Sequence, residues 1–351
     1  MKKILVIGAT GFLGGHILNA FQTRSDVEVI AACRTPEKLP AWFAGEVRAG
    51  DLLDAQYRRA VLAEVDVVCN AGGWGSFWGH KALEYSHFYL PTKDLIDQAI
   101  QQGVNRFIQA STLVIGPKAT AKQAPPVDDF SLARQYTGFW PHVDFLMDLD
   151  RYMRHRAVEG TQMMTMRLGH FVGVGNSNGL LPMLLPRLKT HLVPWLAGGQ
   201  MRMPLVTGED MGRAFVLAAT AEDLADYESF NICGPEFSTM REFFHFLAEE
   251  TGLPTPHYSV PYPAAYAFGW LMETLNFLLP GDPFLMRSIV FVSENWVATT
   301  DYARQKLGYI PQQAWREAVR AQVVELKAKQ YPWPHLEVPI GSLRPHAKRD
   351  I

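Results

Sequence analysis

The sequence has little cysteine, little excess charge and no uncharged apolar run of membrane-spanning length. Its three cysteines, Cys33, Cys69 and Cys233, lie far apart, without C-x-x-C spacing or a Cys/His cluster, which excludes a zinc site and fits a reducing cytoplasm. A net charge of −2 leaves no basic face for nucleic acid. We therefore expect a cytoplasmic protein that binds neither a metal nor a nucleic acid.

Two apolar stretches need separate interpretation. The first residues, "MKKILVIGATGFLGG", are interrupted by glycine after Ile7 and lack a cleavage site, which favours a buried first strand over a signal peptide. The stretch 263–281 contains Glu273 and Asn276, which disfavour a transmembrane span. We expect a helix buried against the substrate site or the domain core; a membrane-surface contact is the alternative.

The first half alternates short apolar runs with helical stretches. "KILVIG", "VEVIAAC", "VDVVCNAG", "RFIQAST" and "TQMMTMRLG" are typical of strands, and amphipathic helical segments separate several of them. This alternation predicts the α/β class, with a Rossmann-like doubly wound parallel sheet. Beyond about residue 175 prolines and aromatic residues become denser, which indicates a smaller C-terminal domain.

A glycine-rich turn follows the first predicted strand. Gly8, Gly11 and Gly14 have the spacing of a dinucleotide cradle, in which glycine allows a tight turn and a close approach of the pyrophosphate. The helix N-terminus that follows would supply N–H groups and partial positive charge. The cofactor-binding residues predicted here are Gly8, Thr10, Gly11, Phe12, Leu13 and Gly14.

The end of the second strand indicates which dinucleotide binds. Arg34 stands twenty residues beyond Gly14, where an NAD site would have an acid, and Lys38 follows. A guanidinium binds a 2′-phosphate that a carboxylate would repel. We therefore expect NADP rather than NAD; in the alternative interpretation Arg34 and Lys38 only begin a solvated helix.

Several motifs in a fixed order give a family resemblance. They are "GATGFLGG" (8–15), "GDL" (50–52), "NAGG" (70–73), "ASTLVIGP" (110–117), "RLGHFVGVG" (167–175), "LVTGEDMGRAFVLA" (205–218), "FNICGPEFSTMREF" (230–243) and "ARQKLGYIP" (303–311). Over roughly residues 2–325 the chain resembles the extended short-chain dehydrogenases/reductases, near the NAD(P)-dependent epimerases/dehydratases and 3β-hydroxysteroid dehydrogenases.

The resemblance implies a division into domains. Residues 1–175 would be mainly the NAD(P)-binding Rossmann domain, and 176–330 mainly the substrate-binding domain, with a segment of about 204–235 returning to the first. Residues 331–351 would be a surface tail, and 118–129 a linker. A homodimer that pairs through two helices is common for this fold and is expected by analogy only.

The resemblance also implies site residues. Further cofactor contacts would be Asp51, Leu52, Asn70, Ala71 and Gly72. Ser111 would be the catalytic residue that hydrogen-bonds the substrate oxygen. In the alternative interpretation, Ser111 is a strand-end serine that bonds to nearby backbone.

The Tyr-x-x-x-Lys pair of such enzymes is absent in register. Counting back from Arg167 places His142 at the tyrosine position and Leu146 at the lysine position. A tyrosine needs a neighbouring ammonium to exchange a proton readily at neutral pH. Tyr152 and Arg156 have a similar spacing, but ten residues correspond to about 15 Å of helix and to a different face, so we reject that pair.

Three substitutes for the relay remain open. His142 could act as the general acid or base, because histidine titrates near neutral pH, or it could be a polar first-turn residue. Tyr136 could reach in from the preceding loop, or it could anchor that loop. The third alternative is that the chain has no proton relay.

Aromatic residues are dense between positions 74 and 89. They are Trp74, Phe77, Trp78, Tyr85, Phe88 and Tyr89. They indicate either a pocket for a bulky apolar ligand or an aromatic core. The predicted function is an NADP-binding oxidoreductase acting on the carbonyl or alcohol of a hydrophobic small molecule. The alternatives are an epimerase or dehydratase and a non-catalytic NADP-binding sensor or scaffold.

Overall fold

A computed structural model describes residues 1–118, 136–177, 179–278 and 282–329. The predicted tail at 331–351, and the predicted linker apart from Lys118, lie outside these residues. Short apolar runs form the strands, which are β1 (Lys2–Ile7), β2 (Val27–Cys33), β3 (Val47–Ala49), β4 (Val67–Asn70), β5 (Arg106–Thr112), β6 (Gln162–Leu168), β7 (His170–Val172), β8 (Trp195–Leu196), β9 (Arg202–Met203), β10 (Leu205–Thr207), β11 (Tyr227–Ile232), β12 (Ser238–Thr239) and β13 (Ser259–Val260).

Amphipathic stretches form most of the helices. They are α1 (Phe12–Phe21), α2 (Ala55–Ala60), α3 (Lys81–Glu84), α4 (Leu90–Gln101), α5 (Pro141–Arg156), α6 (Leu180–Lys189), α7 (Gly208–Thr220), α8 (Met240–Thr251), α9 (Tyr262–Thr274), α10 (Arg287–Val292), α11 (Asp301–Leu307) and α12 (Trp315–Ala328). A π-helical turn, Tyr85–Tyr89, joins α3 to α4.

Seven parallel strands form the main sheet, in the order β11-β6-β5-β4-β1-β2-β3. Ile4, Leu5 and Val6 of the central β1 are completely buried, as expected for a strand covered on both faces. The order of the strands reverses between β1 and β4. This confirms the predicted Rossmann-like doubly wound sheet, and ligands of such sheets bind at the reversal, beyond the carboxyl ends of the strands.

The chain divides into two compact units. The first comprises Met1–Gly169, Gly208–Cys233 and Ala298–Gln312 and contains the seven-stranded sheet. The second comprises His170–Thr207, Gly234–Val297 and the chain from Gln313 onward. Its described core is built from α6, α8 and α12, whose buried side chains include Leu185, Phe243 and Trp315. The assignment of a substrate-binding role to the second unit stays a prediction.

The apolar stretch 263–281 differs from the expectation. Helix α9 forms, but it buries only Ala265 and Gly269. The large apolar side chains that are exposed here are Phe268, Trp270, Leu271, Leu275, Phe277 and Leu278. The expected burial of this helix is therefore wrong, because apolar composition alone does not specify what covers a helix. In the described part of the chain, no helix is both long and apolar enough to cross a membrane.

Candidate active site

Two glycines in and after the turn from β1 to α1 have no room for a side chain. Gly8 has a φ of +76°, and a Cβ on it would lie 2.8 Å from the Cα of Gly72. A Cβ on Gly14 would lie 2.1 Å from the carbonyl oxygen of Gly8. Carbon atoms in van der Waals contact are separated by about 3.5 Å or more. Only glycine therefore allows the turn, helix α1 and the end of β4 to approach this closely.

Helix α1 begins without a capping side chain. Its N-cap is Gly11, which makes no side-chain hydrogen bond. The first N–H groups of a helix have no intrahelical acceptor and attract an anion. The turn and the helix N-terminus together therefore fit the pyrophosphate of a dinucleotide. Among the predicted contacts, Leu13 is buried, whereas Thr10 and Phe12 are half-buried.

The end of β4 lies beside the glycine turn. Ala71 donates its backbone N–H to the carbonyl of Ile7 at 3.0 Å. The Asn70 side chain is completely buried, and its Oδ1 accepts the N–H of Gly72 at 3.1 Å. Its Nδ2 donates to Oε1 of Gln109 at 2.8 Å. These bonds hold the predicted cofactor-binding residues at the carboxyl edge of the sheet.

The other predicted cofactor contacts lie beyond the ends of β2 and β3. Arg34 exposes 68% of its side chain, and its Nη1 lies 3.9 Å from Oδ2 of Asp51. Lys38 is exposed in a short 3₁₀ turn. Leu52 lies near the end of β4, since a Cβ on Gly72 would be 3.4 Å from its Cδ1. A loose, exposed ion pair such as that of Arg34 contributes little to stability and leaves the guanidinium accessible.

Ser111 lies near the carboxyl end of β5 and pairs in register with Arg167 of β6. The residue is only 8% exposed, and its Oγ has no hydrogen-bond partner among the described residues. The alternative interpretation, a serine that bonds to nearby backbone, is therefore not what the structure shows. An unpartnered buried hydroxyl costs about 1–3 kcal/mol. A ligand oxygen that accepts its hydrogen bond would remove this cost.

His142 lies in the first turn of α5 and pairs with a buried carboxylate. Its Nδ1 is 3.0 Å from Oε2 of Glu84, a residue that is completely buried. The other oxygen of Glu84 accepts the N–H of Ser76 at 2.5 Å. A Cβ on Gly75 would lie 2.9 Å from Cε1 of His142, so the loop backbone packs directly on the imidazole. Nε2 is left as the ring nitrogen that can face a ligand.

Tyr136 occupies a different setting. Its hydroxyl donates to the carboxylate of Asp148, and the guanidinium of Arg151 lies 4.6 Å from the centre of its ring. The hydrogen bond to Asp148 raises the pKa of Tyr136 above its ordinary value. The described polar contacts of Tyr136 do not include either of the other two candidate catalytic residues.

Leu146 and Tyr152, the other two α5 residues considered for the tyrosine–lysine pair, lie in different environments. Leu146 is buried in α5, at the position where the resemblance would place lysine. The hydroxyl of Tyr152 donates to Asp97. Burial, together with this hydrogen bond, raises the pKa of Tyr152 to about 12. The guanidinium of Arg156 donates to the same hydroxyl, and the rejection of the Tyr152 and Arg156 pair, which rests on their position along the helix, stays a prediction.

Some of the aromatic residues between positions 74 and 89 pack against neighbouring side chains. The ring of Phe77 stacks on Trp140 at a centroid distance of 5.3 Å, and Nε1 of Trp140 donates to the carbonyl of Ser76 at 2.8 Å. Phe88 is buried, and its ring centroid lies 5.0 Å from that of His142. The interpretation as a ligand pocket stays a prediction for the half-buried members of the set.

Two polar side chains outside the predicted set are notable, Glu84 in the first unit and His170 in the second. Glu84 gives no local signal, since it is one acid in an aromatic stretch and its partner lies 58 positions away. His170, in the second unit, follows β6 within the "RLGHFVGVG" motif. Burial lowers its pKa to about 4, and its Nε2 has no partner in the described part of the chain.

A sequence model described as the NAD dependent epimerase/dehydratase family matches residues 4–233. The chain is 26% identical over 332 residues to 2-alkyl-3-oxoalkanoate reductase of Stenotrophomonas maltophilia, covering 91% of this chain and 97% of that protein. It is 23% identical to 3 beta-hydroxysteroid dehydrogenase/Delta 5→4-isomerase of Mycobacterium tuberculosis, covering 89% of this chain and 86% of that protein.

Solved structures share the fold. UDP-glucose 4-epimerase of Thermotoga maritima, determined with UDP-glucose, superposes with a TM-score of 0.69 at 18% identity, covering 93% of this chain and 99% of that chain. The Thermus thermophilus UDP-glucose 4-epimerase complex with NAD gives a TM-score of 0.67 at 18% identity, with the same coverage. At these identities the likeness concerns the fold alone.

The crowding at Gly14 leads to a prediction about the cradle. Gly14→Ala is expected to lower the free energy of unfolding by about 1–3 kcal/mol and to weaken nicotinamide dinucleotide binding, because its Cβ would push α1 away from Gly8. Gly15→Ala is the matched control: its Cβ would find its nearest neighbour at 4.0 Å, and alanine favours the helix by up to about 1 kcal/mol. Urea denaturation and cofactor titration of both variants measure this; equal effects would contradict the steric account.

Proposed function

This chain belongs to the NAD dependent epimerase/dehydratase family, and we propose that it is an NADP-linked oxidoreductase acting on the carbonyl or alcohol of a hydrophobic small molecule. The membership confirms the predicted resemblance and supports an NAD(P)-dependent enzyme. The observation that carries the proposal is the buried, unpartnered hydroxyl of Ser111 at the carboxyl edge of the sheet. The names of two relatives, a 2-alkyl-3-oxoalkanoate reductase and a 3 beta-hydroxysteroid dehydrogenase, support the substrate class.

The geometry of the first unit supports a cofactor at this edge. The glycine turn and the N-terminus of α1 would hold the pyrophosphate, Leu52 would lie against the adenine, and residues 70–72 would line the path toward the nicotinamide. Arg34 would hold the 2′-phosphate that distinguishes NADP from NAD. When bound, the reduced cofactor supplies the hydride.

Ser111 would orient the substrate carbonyl, and His142 would transfer the proton. The Ser111 hydroxyl donates a hydrogen bond to the substrate carbonyl oxygen and so orients the carbonyl. His142 would give a proton from Nε2 to that oxygen in the reduction of the carbonyl to the alcohol. In the direction of oxidation, the neutral Nε2 takes the proton back. Tyr136 stays as the alternative proton donor.

A second candidate is an epimerase or dehydratase that uses the cofactor only transiently. It is favoured by the family match and by a relative named UDP-glucose 4-epimerase from Vibrio cholerae, 27% identical over 146 residues. Such an enzyme would convert its substrate without net consumption of NADPH. Cofactor binding without turnover of any substrate would instead favour the non-catalytic sensor or scaffold.

The proposed chemistry predicts that Ser111→Ala and His142→Ala each lower kcat by about 10²–10⁴-fold, because each removes a group that acts on the reacting oxygen. The measurement is NADPH oxidation in the presence of 2-alkyl-3-oxoalkanoates and 3-oxosteroids. Ser86→Ala is the control, since this exposed hydroxyl, in the π-helical turn after α3, donates to the carbonyl of Ala82. Unchanged turnover in both site variants would remove the mechanism.

The proposed cofactor preference depends on Arg34. Arg34→Ala is expected to weaken NADPH binding by about 10–100-fold and NADH binding much less, because only NADPH has the phosphate that the guanidinium binds. Energy transfer from the nine tryptophans to the reduced nicotinamide reports both titrations. Arg24→Ala, which removes an arginine paired with Asp26, serves as the control. Equal loss for the two cofactors would contradict NADP preference.

The membrane-surface contact of 263–281 also stays a proposal, supported by the exposed apolar side chains that follow α9. Phe277 is 80% exposed and Leu278 65%. We expect the protein to sediment with phosphatidylcholine vesicles and the double variant Phe277→Ser, Leu278→Ser to lose this binding, because apolar side chains drive interfacial insertion. Val158→Ser, at a residue 79% exposed elsewhere, is the control. If the wild-type protein does not sediment with the vesicles, the proposed membrane-surface contact is wrong.

A further inference from the structure

We propose that Glu84 is a positioning residue that fixes which nitrogen of His142 exchanges the proton. The inference rests on the proposed function, in which His142 is the proton donor. Glu84 was not among the residues that the sequence suggested. It would be the charged residue beside the proton-exchanging group, as the absent lysine would be in the family, but with the opposite charge.

Glu84 is buried at a specific place in the helical connection. It is the last residue of α3, and the π-helical turn Tyr85–Tyr89 follows directly. π-helical turns are rare and occur frequently at functional sites. Phe88, within that turn, is buried as well, so Glu84 and Phe88 both face inward and both reach His142.

The two oxygens of Glu84 have different partners. Oε1 accepts the backbone N–H of Ser76 at 2.5 Å, which ties the carboxylate to the loop. Oε2 lies 3.0 Å from Nδ1 of His142. Burial of a carboxylate costs several kcal/mol unless it is paired and hydrogen-bonded. Both conditions are met here through one backbone donor and one imidazole.

The chemistry of this contact determines the state of the ring. An ionised carboxylate only accepts hydrogen bonds, so Nδ1 of His142 must carry the hydrogen. The neutral ring then has its lone pair on Nε2. The proton that reaches the substrate therefore leaves from Nε2, and Nδ1–H stays on Glu84 throughout. The His142 side chain is 25% exposed, which gives solvent access for reprotonation.

Two further contacts, together with the helix that carries His142, hold the ring in place. The backbone of Gly75 approaches Cε1 so closely that a Cβ there would lie 2.9 Å away. The ring of Phe88 covers another side at a centroid distance of 5.0 Å. Helix α5 supplies His142 from its first turn, where the backbone is fixed by the helix. A ring that is held from several sides can act as a relay without the rearrangement that a loop residue would require.

The test replaces the carboxylate by an amide of the same size. Glu84→Gln is expected to lower kcat by about 10²-fold or more with little change in the KM for NADPH, because the amide can donate to Nδ1 and favour the tautomer with hydrogen on Nε2. Nitrogen-15 NMR of the imidazoles, assigned with His142→Gln and recorded at a pH at which the ring is neutral, is expected to show a bare Nε2 in the wild-type protein and its loss in Glu84→Gln.

Glu228→Gln is the matched control for loss of a buried carboxylate. Glu228 is also buried and also has one backbone and one side-chain donor, Ala225 N–H at 3.1 Å and the hydroxyl of Tyr302 at 2.6 Å. Both variants are expected to lose stability in urea denaturation, but only Glu84→Gln should lose kcat. An equal loss of kcat in both, or unchanged kcat in Glu84→Gln, would overturn the inference.

The NMR measurement separates this inference from the proposed function. If the wild-type protein turns over no carbonyl substrate, the oxidoreductase proposal fails. The tautomer of His142 then still tests whether Glu84 orients the ring. A neutral ring with hydrogen on Nε2 and a bare Nδ1 in the wild-type protein, or a tautomer that Glu84→Gln leaves unchanged, would show that Glu84 does not set the ring. A bare Nε2 that depends on Glu84 would support the positioning role.

Discussion

The contact between the backbones of Gly8 and Gly72 is the constraint on which the rest of the site depends. These residues follow β1 and β4, the neighbouring strands between which the order of the sheet reverses. A Cβ on Gly8 would come within 2.8 Å of Gly72, so the two strand ends can meet only because both residues lack side chains. Their contact places the N-terminus of α1 at the crevice where a dinucleotide binds in folds of this type.

The proposed proton relay follows a different electrostatic logic from the one that the family resemblance implies. A lysine beside a tyrosine favours the phenolate, whereas a carboxylate beside a histidine favours the imidazolium, so each partner stabilises the charged form of its neighbour. Buried Leu146 at the lysine position removes an ammonium that would repel an imidazolium in the same helix. Histidine at the tyrosine position and leucine at the lysine position are therefore compatible with each other. The charge beside the histidine comes from Glu84, which lies outside α5.

The sequence predicted the parts of the molecule that depend on local pattern. The apolar runs predicted β1, β2, β4, β5 and β6, and the glycine spacing predicted the turn before α1, because burial and backbone geometry act within a few residues. Register within the family resemblance pointed to Ser111 and His142. The partner of His142 was not predictable, since a contact between residues 84 and 142 depends on how helices α3 and α5 pack.

The exposure of α9 was not predictable for a related reason. Apolar composition indicates that a surface is costly in water, but it does not tell which other surface covers it. Glu273, the acid that disfavours a transmembrane span, accepts a hydrogen bond from Nε of Arg287 at 2.7 Å within the second unit. Glu273 is thus internally paired, and the apolar residues Phe277 and Leu278 are exposed.

A crystal structure of the protein with NADP⁺ tests the central claim most directly. The account predicts the pyrophosphate at the N-terminus of α1, the 2′-phosphate beside Arg34 and the nicotinamide at the carboxyl end of β5, near the Ser111 hydroxyl. It also predicts that the bond between His142 and Glu84 is retained. A cofactor bound elsewhere, or a nicotinamide remote from Ser111 and His142, would contradict it.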